Sequence, residues 1–209
     1  MLASINPLVE RVRGRRWGET VLAYFVGSVL GGFEVGALLG GLGGLARDLL
    51  SVLGALSEPA GRAGLAQQGL AAGLVALGGL GGLLETVGRV PTWRRQVDEA
   101  WLTRYRGWVY GAGFGLQLGA GVATTVTTGA IYLAGVFAVV AASPARGGLI
   151  GAVFGLARAA PVLLGARIGD AMALRSLVKR LATWETAGRR ATAVVLVVAG
   201  VAGAALVLR

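Results

Sequence analysis

The chain has 209 residues, 55% of them hydrophobic and only 14% charged, with a net charge of +10 and a mean hydropathy of +0.71. That charged share is about half of what soluble domains carry. The 37 glycines follow no Gly-X-Y period and proline numbers only 5, so soluble, collagen-like and disordered classes are excluded and an all-α polytopic transmembrane helix bundle remains.

The chain begins "MLASINPLVERVRGRRWGE". This stretch has no apolar run long enough for a cleavable signal and reads as a basic cytoplasmic arm over 1–18. A single transmembrane domain over 19–209 follows. Its first span, about 20–45, is "TVLAYFVGSVLGGFEVGALLGGLGGL", with Glu34 near its middle. The second covers about 64–88; Gln67, Gln68 and Glu85 near its ends read as interfacial.

The segment "TWRRQVDEAWLTRYRGW" repeats an aromatic or apolar residue every four positions through Trp93, Val97, Trp101 and Tyr105. Its pattern is that of an amphipathic helix lying in the membrane surface. A run from Gly107 to Ala142 follows, too long for one straight span. Within it, "ATTVTTGA" places Thr124, Thr125, Thr127 and Thr128 at mid-membrane, where hydroxyls tolerate a break by bonding freed carbonyls. A discontinuous span there and a long tilted helix are both compatible with the run.

The fourth span, about 147–167, carries Arg158 and Pro161. The segment 170–190 has an apolar stripe through Leu174, Leu177, Val178, Leu181 and Trp184, flanked by Arg175, Lys179 and Arg180. It reads as a second amphipathic surface helix before the fifth span, 190–208.

Charge sets the expected orientation. Arg11, Arg13, Arg15 and Arg16, then Arg89, Arg94, Arg95, Arg104 and Arg106, then Arg167, Arg175, Lys179, Arg180, Arg189 and Arg190 form three dense clusters. Five spans with an inside N-terminus place these 15 basic residues on the cytoplasmic side of an inner membrane and 4 outside, as the positive-inside bias requires. The same clustering between apolar runs argues for lipid, and against nucleic acid, as the partner of the positive charge.

Many glycines recur every four residues: Gly32, Gly36, Gly40 and Gly44; Gly111, Gly115 and Gly119; Gly147, Gly151 and Gly155; Gly69 and Gly73; Gly78 and Gly82. Small residues at this spacing let helix backbones approach closely in lipid. Smooth faces along which helices slide are the alternative reading.

Glu34 and Arg158 are costly at mid-membrane unless they face the interior. They either pair with each other or stand apart, Glu34 protonated and Arg158 reaching toward an interface. With Gln117, Thr124, Thr125, Thr127, Thr128 and Tyr132 they outline a candidate midplane site for a solute or ion. Cysteine and histidine are absent, which removes thiolate chemistry and thiolate or imidazole metal sites. No cofactor, metal or enzymatic activity is expected.

"GWVYGAGFGLQLGAGVATTVTTGAIYLAGVFAVVAAS" and "GGLIGAVFGLARAAPVLLGARI" resemble two glycine-rich spans of the CcdA/DsbD-type membrane domain, within the superfamily that includes LysE-type exporters. The stretches before them are similar to that family's second and third spans. The resemblance implies the fold, including a broken central helix. It does not imply the thiol relay, because the family's first cysteine-bearing span has no counterpart and threonines stand at the other cysteine position. Two functions remain open: a small-solute or ion permease, or an accessory subunit of a membrane thiol-redox or cytochrome-maturation assembly, with a membrane protein or a second copy as partner.

Overall fold

Apolar side chains in lipid gain little by leaving the bilayer for one another, so helices associate where their backbones come closest. The computed structural model describes residue 5 and residues 7–52, 60–88, 105–121, 128–168 and 170–208, with the backbone alone for 9, 60–67, 167 and 171. The described elements are α1 (Pro7–Val12), α2 (Trp17–Val52), α3 (Ala60–Val87), α4 (Gly107–Ala120), α5 (Ala130–Val140), α6 (Pro144–Ala159) and α7 (Ala171–Val207). A 3-10 turn, Ala160–Arg167, follows α6. Among the described residues there is no strand. Four helical stretches among the described residues are long and apolar enough to cross a membrane: Trp17–Val52, Gln68–Val87, Pro144–Ala166 and Glu185–Val207. The chain is an all-α membrane bundle. The surface-helix segment expected at 92–108 lies outside the described residues up to Arg104, and its last two residues, Gly107 and Trp108, begin α4.

α2 is the hub, because it carries two glycine stripes. Gly27 and Gly31 lie against the carbonyl oxygens of Ala112 and Leu116 in α4. Gly32, Gly36 and Gly40 lie against those of Gly151, Gly147 and Ser143, along α6 and its N-cap. Neighbouring residues in a helix are turned by about 100°, so the two stripes address two partners. The opposing faces are also glycine: a methyl group on Gly115, Gly119, Gly151 or Gly155 would overlap a backbone oxygen of α2. Tight packing accounts for these positions. It does not account for Gly69 and Gly73, where a methyl group would meet nothing within 4 Å.

The contact order fixes directions. α4 residues 111, 115 and 119 follow α2 residues 20, 24 and 28, so the two helices run parallel. Gly43 meets Val139 and Gly135 meets Leu39, so α5 runs the same way, further up α2. α4 and α5 are therefore two halves of one span. α4 ends at Gly121, where φ is +72°, which excludes a continuous tilted helix across the run. α6 returns antiparallel to α2. Pro161 has no N–H to give to a carbonyl one turn back, and there the α-helix tightens into the 3-10 turn.

α3 and α7 form a second, antiparallel pair, with Gly78 against Leu196 and Gly200, and Gly82 against Ala193. α7 is 37 residues long, about 56 Å at 1.5 Å per residue. The expected surface helix at 170–190 is therefore continuous with the last span and does not form a separate element. No proline interrupts 171–207 and Gly188 is the only glycine before Gly200, so nothing ends the helix at the interface. Asp170 starts it, its Oδ1 accepting from the Ala173 N–H at 2.7 Å.

The N-terminal arm packs against the bundle. Ile5 joins a core cluster with Val21, Tyr24, Tyr110, Phe114 and Val162. Glu10, fully buried, accepts from the Thr20 hydroxyl at 2.8 Å and from the Tyr110 hydroxyl, with Arg13 at 3.7 Å. One carboxylate thus ties α1 to the starts of α2 and α4.

Candidate functional site

The break in the α4–α5 span is where polar groups gather inside the bundle. A helix that stops leaves carbonyls unbonded at its C-terminus and N–H groups unbonded at its N-terminus. In lipid these need partners from the protein. At the end of α4 the partner is Arg158 of α6, whose Nη1 donates to the Leu118 carbonyl at 2.9 Å. Its guanidinium also lies over the Phe154 ring, 5.6 Å from the centroid. At the start of α5 the partner is Glu85 of α3, buried, with its Oε2 accepting from the Gly129 N–H at 3.0 Å. The Thr128 hydroxyl adds a bond from the Ala130 N–H at 3.2 Å.

Each charge has the sign that the helix end favours: a cation at a C-terminus and a carboxylate at an N-terminus. Beneath the break, Ser28 is fully buried and its hydroxyl donates to the Gly155 carbonyl at 2.8 Å. This bond ties α2 to α6 at the level where Gly119 also touches Ser28. Above it, an apolar crevice of about 130 Å³ opens between α2, α5 and α6, lined by Val35, Leu39, Ile131, Ala134 and Phe154 among others.

The expected site is only partly assembled. Arg158 is at the break, and so is Thr128. Gln117 is half-buried on α4, and Tyr132 is exposed on α5. Thr124, Thr125 and Thr127 lie outside the described residues. Glu34 is exposed, and among the described residues it forms no ion pair with Arg158.

The reason is phase. Arg158 follows Gly147, Gly151 and Gly155 on the face of α6 that meets α2, whereas Glu34 stands about 200° around α2 from Gly32 and Gly36. Glu34 instead continues the Gly27–Gly31 stripe that α4 covers lower down. α4 has stopped by that height: Gly31 already meets Ala120, its last residue. Beyond that point Glu34 is exposed, and so are Leu38, Leu42, Leu45 and Leu49, each at least 60%.

Glu85 was expected at the interface and is buried within the bundle instead. A signal for it exists in the sequence: Gly78, Gly82 and Glu85 fall at i, i+4 and i+7 on one helical face.

The chain is 33% identical over 166 residues to the methylamine utilization protein MauF of Paracoccus versutus. The match covers 77% of this chain and 56% of the relative, so the chain spans about half the length of the curated relative it matches. No family model matches, and no solved structure does.

Proposed function

We propose that this chain is an accessory subunit of a membrane assembly, binding a helix of another membrane protein along the uncovered face of α2. The observation that carries this reading is Glu34, a carboxylate left exposed on a transmembrane helix. An acidic group facing hydrocarbon costs several kcal/mol unless it is neutralised or paired. Above it, Leu38, Leu42, Leu45 and Leu49 are spaced four, three and four residues apart, a heptad seam suited to a packed helix. The occupant is a partner helix with a basic or strong donor side chain at the depth of Glu34.

The likeness to a protein named for methylamine utilization supports a role in methylamine utilization. The CcdA/DsbD-type resemblance supports a thiol-redox or cytochrome-maturation setting in which a partner supplies the cysteines. In this reading the basic end, with Arg13, Arg15, Arg16 and Arg106, lies in the cytoplasm and the bundle sits in the inner membrane.

The test is a photo-crosslinking residue at position 38 in native membranes. The expected adduct is with one helix of a second protein. It disappears in Glu34→Leu and returns when Glu34→Lys is combined with an acidic replacement of the partner's basic residue. An adduct with lipid alone, or with a second copy of this chain, contradicts the reading.

A second reading, solute or ion passage at the broken span, is favoured by the crevice beside the break and by charges at both helix ends. Flux in proteoliposomes that is lost in Arg158→Met and Glu85→Gln supports it. Flux unchanged in both variants removes it.

A further inference from the structure

A second polar site lies at the opposite end of α4 from the break. A cleft of about 640 Å³ opens between the starts of α2 and α4, and Arg15, Arg16, Arg106, Thr20, Tyr105 and Trp108 line it. Glu19 is the acidic residue among the lining. It is 61% exposed and paired with Arg16 at 3.3 Å, so three cations face one anion.

Two helices begin at this cleft. α2 starts at Trp17, and α4 starts after Arg106, whose side chain makes no capping hydrogen bond. The first N–H groups of a helix and its dipole favour an anion. Arg15 is fixed in place, its Nη2 donating to the Tyr105 carbonyl at 2.8 Å and its guanidinium stacked 5.4 Å from the Tyr110 ring centroid.

The surroundings are apolar on the lipid side. Trp108 is 56% exposed and Leu22, one turn further along α2, is 67% exposed. A tryptophan at the rim of a basic cleft, with leucine beyond it, matches the depth of the headgroup layer.

We propose that this cleft binds a phosphate-bearing anion, held by Arg16 and Arg106 over the two helix starts, with Arg15 as the fixed wall. The phosphate comes either from an anionic lipid headgroup, with acyl chains along Trp108 and Leu22, or from a soluble phosphate. Guanidinium groups match phosphate geometry and hold it through paired hydrogen bonds.

The experiment uses the full chain in non-ionic detergent. Native mass spectrometry compares retention of dioleoylphosphatidylglycerol with that of dioleoylphosphatidylcholine, and thermal unfolding is followed with inorganic phosphate against chloride. Arg16→Gln combined with Arg106→Gln weakens anion binding roughly tenfold or more. Glu19→Gln removes the acidic lining residue and tightens it, a gain that a folding defect does not produce.

Selective retention of phosphatidylglycerol with no response to inorganic phosphate assigns the cleft to lipid. Stabilisation by inorganic phosphate that vanishes in the double variant assigns it to a soluble phosphate. Both outcomes support the anion site. Equal retention of the two lipids with no phosphate response overturns it, and so does binding unchanged in both the double variant and Glu19→Gln.

Discussion

The two helix groups of this bundle are held together differently. Around α2, backbone meets backbone: glycines of α2, α4 and α6 interlock so closely that a methyl group at Gly31, Gly119 or Gly151 would overlap a carbonyl oxygen. In the α3–α7 pair the approach is looser, with the nearest backbone oxygen 2.7 Å from a methyl group on Gly78 and 3.0 Å from one on Gly82. The pair meets the core through few groups, among them the Glu85–Gly129 hydrogen bond and Phe137 packed on Leu74, Ala204 and Gly203. The α2 group is therefore the more closely packed of the two, and the α3–α7 pair is attached to it along α5, at the break through Glu85 and further on through Phe137.

The difference predicts a graded response to substitution. The largest effect belongs to the α2 group. Gly119→Ala and Gly151→Ala are each expected to lower stability by roughly 1–3 kcal/mol, and leucine at either position by more, because overpacking here has backbone as its neighbour. Unfolding in mixed micelles with increasing SDS measures this; a neutral Gly151→Leu contradicts the packing.

Glu85→Leu comes next. It strips the Gly129 N–H of its acceptor and is expected to cost about 1–2 kcal/mol. Its signature is faster hydrogen exchange in α3 and α7 while α2 stays protected. Uniform loosening of both groups refutes the division.

Gly78→Ala should cost less than Gly119→Ala or Gly151→Ala, about 1 kcal/mol, since its 2.7 Å approach to the Leu196 backbone oxygen needs a smaller displacement of backbone than their closer approaches to the Ser28 and Gly32 oxygens. Gly73→Ala meets open space and is expected to raise stability by a few tenths up to about 1 kcal/mol through helix propensity. A loss at Gly73 as large as the loss at Gly119 erases the comparison.

Much of this was legible in the sequence. The membrane class, the order of spans and the i, i+4 glycine faces follow from hydropathy and periodicity, and the broken span from the surplus length of 107–142. Arg158 was identifiable as interior-facing because it keeps phase with Gly147, Gly151 and Gly155.

Depth alone leaves the direction of Glu34 open between pairing with Arg158 and standing apart; phase separates the two. Two residues from Gly32 in a helix is the opposite side. Glu85 looked interfacial because it sits where its own span ends. Only the tertiary fold brings the start of α5 to that level, and no local pattern encodes this. The continuity of α7 was hidden by its charged first half, which looks like a surface helix although no residue there ends a helix. The two glycine stripes of α2, one residue apart, merge by eye into a single glycine-rich run. They separate only when each glycine is assigned a direction.

The intramembrane charges of α2 and α6 are divided: Arg158 serves the end of α4, and Glu34 faces away from it. A double-mutant cycle on Glu34→Leu and Arg158→Met, read by SDS unfolding of the isolated protein, tests this most directly. Arg158→Met is expected to destabilise by about 1–2 kcal/mol, Glu34→Leu to be neutral or stabilising, and the two effects to add to within about 0.5 kcal/mol. Two comparable losses, with a double variant no worse than either single one, would show that the two charges are partners after all and contradict the outward placement of Glu34.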